Sequence, residues 1–281
     1  MKKFFFSKCA IMFILLFVAL NSFSQYYYKD IVSINQANKE FSYLKNSSIK
    51  LVKLKSFEDN DEPSEGFFCE KKINKTFMQS EMISKSYITG QSLLVTDYSP
   101  GGQITKTTNT TPTTSSTASY RYNDKNQVTE IITVTSADGD SSSITERHTY
   151  MYDEKGDIVK MERSKNSRVI GEILFKYDAK GNIIEEDPSG IARDKKYFYY
   201  YDDHNRLTDI VHYNDIAHRL LPDYMFEYNS KNLVRQMITI DESGRNYFIW
   251  KYSYTDTNLP EIQKCFSKEK RLLGTIEFEY K

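Results

Sequence analysis

The sequence predicts an all-β protein made of tandem antiparallel hairpins, about seven of them, forming one long curved sheet. Three observations carry this. One tyrosine recurs every 24 to 30 residues along the second two-thirds of the chain. Residues two and four positions before it are mostly apolar or aromatic, the period of one strand face. Four positions after it only Gly or Asn occurs, the residues that tolerate positive φ.

The tyrosines are Tyr98, Tyr122, Tyr152, Tyr177, Tyr201, Tyr228, Tyr254 and Tyr280. Position +4 reads Gly102, Asn126, Gly156, Gly181, Asn205, Asn232 and Asn258. Position +1 is mostly Asp or Asn, as in Asn123, Asp153, Asp178, Asp202 and Asn229, whose side chains can accept a hydrogen bond from the backbone two residues on. Together these specify a type I turn closed by a left-handed residue in a G1 bulge. That hairpin sets position +6 opposite the tyrosine on the same face. It is aliphatic at six turns and Pro260 at the last. Turn, register and buried face thus follow from one rule, and a one-residue slip would turn every tyrosine outward.

Taken from the N-terminus, residues 1–24 read as a signal peptide. Lys2, Lys3 and Lys8 precede the apolar run Ala10 to Leu20, and Ser22 and Ser24 flank a cut before Gln25. The run is too short for a comfortable transmembrane helix, so none is expected once the leader is cut. Residues 25–90 lack the repeat and read as a small N-terminal α/β cap. Ser33 opens one short helix with Ile34, Ala37, Phe41 and Leu44 on one side. Ile49 to Phe57, Gly66 to Lys72 and Lys85 to Asp97 read as extended, with an acidic turn at Glu58 to Glu65. Residues 91–281 form the repeat array. Thr105 to Ser119 reads either as two strands and a turn or as a loop, and Asp138-Gly-Asp140 as a solvated turn. The array ends on a lone strand at Tyr280. The last strand is left as an edge, pairs with the N-terminal cap, or closes the sheet into a ring; an open or flattened, strongly curved sheet is expected, since a round barrel of about fifteen strands would be hollow.

Segments such as Tyr150-Met-Tyr-Asp-Glu-Lys-Gly156 and Phe175-Lys-Tyr-Asp-Ala-Lys-Gly-Asn-Ile183 resemble YD repeats of the RHS type. The resemblance covers about residues 92 to 281, and the leader resembles those of Bacteroidetes-type bacteria. It implies successive hairpins in a curved sheet and a role in carbohydrate or protein adhesion at the cell envelope. The chain is short for that family and carries no separate domain after the last repeat, which speaks against toxin delivery.

Lys+Arg and Asp+Glu are both 38, and this even balance argues against nucleic acid as a partner. The four histidines, His148, His204, His212 and His218, lack metal-ligand spacing, and no phosphate loop or nucleophile motif occurs. The chain is therefore expected to be non-catalytic, without cofactor or metal. Export permits a disulfide between Cys69 and Cys265, with two separate buried thiols as the alternative. The expected role is an exported scaffold, periplasmic, cell-surface or secreted, binding a glycan or an envelope protein. Phe198, Tyr200 and Tyr213, aromatics off the repeat stripe, are the candidate ligand contacts, with packing under the N-terminal cap as the alternative. The alternative is an outer-membrane β-barrel, suited by export and by a hairpin every 26 residues or so but opposed by charges on the strands and a mean hydropathy of −0.60.

Overall fold

A computed structural model describes residues 25–139, 142–189, 195–214, 218–241, 244 and 246–281. The predicted leader, Asp140, Gly190 and Asp215 lie outside the described residues.

Each repeat tyrosine stands opposite its +6 partner, from Tyr98↔Ile104 to Tyr254↔Pro260, with a bulge beside every one of the seven. The seven +4 residues all have positive φ, between 56° and 95°. The +1 side chains cap the turns. Asp178 Oδ1, for example, accepts from the N–H groups of Lys180 at 2.8 Å and Asn182 at 2.9 Å.

These hairpins supply β4 (Gly90–Tyr98), β5 (Ile104–Thr110), β6 (Thr114–Tyr122), β7 (Val128–Ala137), β8 (Ser143–Tyr152) and β9 (Ile158–Lys165). They continue through β10 (Arg168–Tyr177), β11 (Ile183–Ser189), β12 (Tyr197–Tyr201), β13 (Leu207–Asn214) and β14 (Arg219–Tyr228). β15 (Val234–Ile240), β16 (Tyr247–Tyr254), β17 (Pro260–Ser267) and β18 (Leu272–Tyr280) complete the array. The Thr- and Ser-rich stretch is two strands and a turn, β5 and β6.

The sheet is closed, which corrects the expectation of an open or flattened sheet of about seven hairpins. The reason lies in the segment read as a cap. It provides three further strands, β1 (Leu51–Phe57), β2 (Phe68–Ile73) and β3 (Gln79–Ser86), that join the same sheet. Every strand pairs antiparallel with its sequence neighbour, and β18 pairs back onto β1 from Val52↔Tyr280 to Phe57↔Thr275. An up-and-down ring closes antiparallel only with an even number of strands, and these three bring the total among the described residues to eighteen. Closure leaves no open sheet edge.

A ring this wide would enclose a channel. Here the chain's own N-terminal segment lies against the inner wall. A π-helical turn, Tyr27–Val32, runs into α1 (Ser33–Asn46). Ser33 does not cap the helix: the backbone is already helical at Tyr26, and Ser33 Oγ donates back to the Tyr28 carbonyl at 2.9 Å. The tyrosine stripe faces inward and meets this segment. Tyr26 packs edge-on to His148 of β8, Tyr27 to Tyr199 of β12, Tyr28 against Tyr224 and Phe226 of β14, and Phe41 stacks on Tyr98 of β4. Contacts with walls this far apart around the ring place residues 25–46 in the lumen as a plug.

The repeat tyrosines also lock neighbouring hairpins. Each phenol from Tyr122 onward donates to the carbonyl of the +6 residue of the hairpin before it, as in Tyr152 to Val128 and Tyr254 to Val234, both at 2.7 Å. The last, Tyr280, donates to Pro260. Proline is acceptable there because the lock uses its C=O, not the N–H it lacks. Burial pushes the Tyr152 phenol up to about 12. Tyr152→Phe removes the lock but keeps the ring, so it should cost about 1 kcal/mol in urea unfolding, one hydrogen bond's net contribution.

Candidate functional site

Two surfaces gather chemistry: the seam between plug and wall, and the outer wall. The seam is polar where the plug begins. Glu186 points inward from β11 and is 1% exposed. Its carboxylate accepts from the backbone N–H groups of Tyr26 and Tyr27, both at 3.0 Å, and from Tyr199 OH at 2.7 Å. The first N–H groups of a helix have no intrahelical acceptor, so a carboxylate there both satisfies donors and meets the positive dipole end. Burial raises the Glu186 pKa, and the three donated hydrogen bonds offset this only in part.

Two histidine–aspartate pairs hold the same segment. Asp30 of the plug meets His148 Nδ1 and accepts from Tyr150 OH at 2.8 Å, both on β8. Asp223 of β14 lies 3.0 Å from His212 Nδ1 and accepts from the Gln25 side chain at 2.8 Å. Arg163, 4% exposed on β9, lies 5.6 Å from the centre of the Tyr26 ring. Burial lowers the Lys29 pKa, with Asp30, Asp223 and Glu186 pulling it back up. Glu186, next to Glu185 in the sequence, is not among the residues that motif and spacing single out. Alternation along the strand puts it inside and Glu185 outside, and that inward position was the available signal.

The candidate contacts lie on the other side of the wall. Tyr200 and Tyr213 are 47% and 41% exposed, and Phe198 faces outward with them, its ring 5.7 Å from Lys196 Nζ. None packs under the N-terminal segment, which is inside. Cross-strand register extends the patch: Phe198 faces Val211, Tyr213 faces Leu220, and Met225, Ile238, Ile249 and Phe266 follow in register across four strands. The remaining sequence candidates are structural. The tyrosines and the Gly or Asn residues form the stripe and the turns, away from this patch.

Cys69 on β2 and Cys265 on β17 are buried and not bridged. Two strands, β18 and β1, stand between them. At roughly 4.8 Å per strand the gap is about 14 Å, beyond the roughly 7 Å limit for a disulfide. Burial pushes the Cys69 thiol up to about 12. Among the described residues no cluster of His, Cys, Asp and Glu side chains is arranged to hold a metal ion. No helix among them is long and apolar enough to cross a membrane, which says nothing of strands.

No protein-family model and no curated protein matches the chain. Among solved structures it is similar to a porin-like protein from Bacteroides uniformis, at 8% identity and TM-score 0.39, covering 83% of this chain and 98% of that one. It also matches a TcdB2-TccC3-Cdc42 structure at 10% identity and TM-score 0.27, covering 86% of this chain and 17% of that one. A DUF1329 family protein from Desulfovibrio piger matches at 7% identity and TM-score 0.16, covering 88% and 91%. Likenesses this distant carry no functional argument.

Proposed function

We propose that the protein is a closed, self-plugged β-barrel of the cell envelope, a non-catalytic binding body rather than an open channel. The carrying observation is the lumen, which the segment from Gln25 to Asn46 occupies and Glu186 anchors. Closure agrees with the outer-membrane alternative better than with an open scaffold. Charges on the outer wall support an aqueous setting. Lys53 and Lys55 on β1, Glu70 on β2, Arg147 on β8, Lys251 on β16 and Lys264 on β17 all face outward at mid-strand. Several of these form ion pairs along the wall, such as Lys53 with Glu70 and Arg147 with Glu130. Each Lys or Arg facing lipid at the bilayer midplane would cost about 2–4 kcal/mol. The strands run from 5 to 10 residues, and most are shorter than the roughly 9–11 a tilted spanning strand needs.

The reading is therefore a barrel whose wall meets water, with the Phe198, Tyr200 and Tyr213 face turned to a glycan or a protein. A barrel embedded in the outer membrane is the second reading, favoured by the closed ring and by the outward apolar row from Met225 to Phe266. The repeat resemblance belongs to the same proposal: hairpins of the YD type, wound here into a full ring. Expression with the native leader, followed by fractionation and carbonate washing, tests it. The expected result is release into the soluble envelope fraction and no conductance in planar bilayers. Retention in the washed outer membrane with ion conductance would overturn both the aqueous setting and the sealed lumen.

A further inference from the structure

Beyond the Phe198 face, the outer wall of β14 to β17 divides into two halves. Toward the turns that follow the repeat tyrosines it is charged, with Glu227, Lys251 and Lys264 outward. Toward the other end it presents an uncharged apolar patch. Register builds the patch. Met225 stands opposite Ile238, Ile238 opposite Ile249 and Ile249 opposite Phe266, with Tyr247 one pleat further along. Leu220, Met225 and Tyr247 are 42%, 39% and 38% exposed. An exposed apolar patch with a polar border marks a surface that meets a protein or a membrane.

The border charges separate these two. Lys251 and Lys264 edge the patch on exposed positions directly opposite each other, a like-charge pairing that is unfavourable across strands. Elsewhere the wall neutralises its cations, as in Lys53 with Glu70, Arg147 with Glu130, Lys176 with Glu185 and Arg235 with Glu227. Among the described residues neither Lys251 nor Lys264 has an ion-pair partner. Lys251 Nζ lies 5.3 Å from the centre of the Phe266 ring, so its stem runs along the patch and its charge sits at the edge. At the far border the turn after β17 carries Lys268 and Lys270 against Glu269, and Tyr247 OH donates to the Lys268 carbonyl at 3.4 Å. An apolar centre with a cationic excess on both sides repels a second copy of itself. It matches a surface that is apolar within and anionic at its edge.

We propose that the β14–β17 wall docks side-on onto an anionic phospholipid surface, as a peripheral contact. The proposal rests on the reading of a closed barrel that is not embedded. Met225, Ile238, Ile249 and Phe266 enter the boundary between headgroups and acyl chains. Lys251 and Lys264 reach lipid phosphates on one side of the patch, Lys268 and Lys270 on the other. The Tyr247 ring lies at headgroup level, its apolar body inward and its hydroxyl toward water. The anionic headgroups supply the counter-charge that the wall itself withholds from the two facing lysines.

The test is flotation of the full purified chain with sealed vesicles, one set of phosphatidylethanolamine alone and one with equal parts of phosphatidylglycerol. The chain should float with the anionic set only, and salt should weaken the binding. Lys251→Gln/Lys264→Gln should weaken it at least about tenfold, from two lost charges near the surface. Its melting temperature should not fall, because the substitution relieves a like-charge pairing, and this separates lost docking from lost folding. Met225→Thr/Ile249→Thr should weaken docking by a similar factor. Arg121→Gln/Arg147→Gln removes two cations from strands across the ring and should leave docking unchanged. Carbonate should strip the bound chain, and the vesicles should keep a trapped dye. No flotation with the anionic set would overturn this proposal alone. So would equal flotation with both sets, or full binding in either patch variant. Resistance to carbonate together with dye release would overturn the unembedded barrel as well.

Discussion

Glu186→Ala should lower the stability of the barrel by about 3 kcal/mol. The substitution leaves two backbone N–H groups and the Tyr199 hydroxyl buried without an acceptor, at roughly 1–3 kcal/mol each, and the relief of no longer burying a carboxylate offsets part of this. For a chain of this size that is a fall of about 6–12 °C in melting temperature. Hydrogen exchange at Tyr26 and Tyr27 should accelerate with it. A loss below about 1 kcal/mol would mean that the plug is not anchored there. Glu186→Gln separates charge from geometry. Burial raises the folded-state pKa of Glu186, so the fold favours its protonated form. That contribution is complete below the ordinary carboxylate value and is lost as pH rises through the raised one. Wild type should therefore lose stability relative to the Gln variant across that window. A constant difference would show that Glu186 does not titrate in the folded barrel.

The repeat was legible because one local rule controls it. Asn or Gly at +4, Asp or Asn at +1 and an aromatic at −2 each act within a single hairpin, so Tyr177↔Ile183 or Tyr201↔Leu207 can be read from a dozen residues. Closure cannot be read that way. It depends on Val52 meeting Tyr280, a pairing between opposite ends of the chain, and neither strand announces its partner. The same holds for the lock between hairpins. Nothing near Tyr228 says that its hydroxyl reaches the Leu207 carbonyl at 2.6 Å, because that carbonyl is offered by a bulge in the hairpin before. The helix was visible from Ile34, Phe41 and Leu44. Its place was not, since an apolar stripe fits a helix laid on an edge as well as one inside a ring. The inward Glu186, costly to bury unless something pairs with it, was the strongest sign in the sequence that a polar chain segment runs through the lumen.

The apolar end of the plug should matter as much as the polar end. Phe41 is 1% exposed and stacks on Tyr98 with ring centres 3.5 Å apart and planes within 4°. Leu44, also 1% exposed, and Leu259 close the same cluster with Val52, Ile73 and Ile104. Phe41→Ala should cost about 3–5 kcal/mol, the usual range when a core ring is removed and its walls cannot collapse. Collapse is hindered here because those walls belong to a ring held by strand pairing on both sides. The double variant with Glu186→Ala carries the sharper test. Phe41 and Glu186 hold opposite ends of one segment, so distant sites should be additive only if the two ends loosen independently. If the plug leaves the lumen as a unit, the first substitution already releases most of what the second would, and the combined loss in urea unfolding should fall short of the sum by at least about 1 kcal/mol. Proteolysis should then cut within residues 25–46 while the eighteen strands stay intact. Full additivity, with cleavage spread along the strands, would mean that the segment is an integral part of the barrel core rather than a plug.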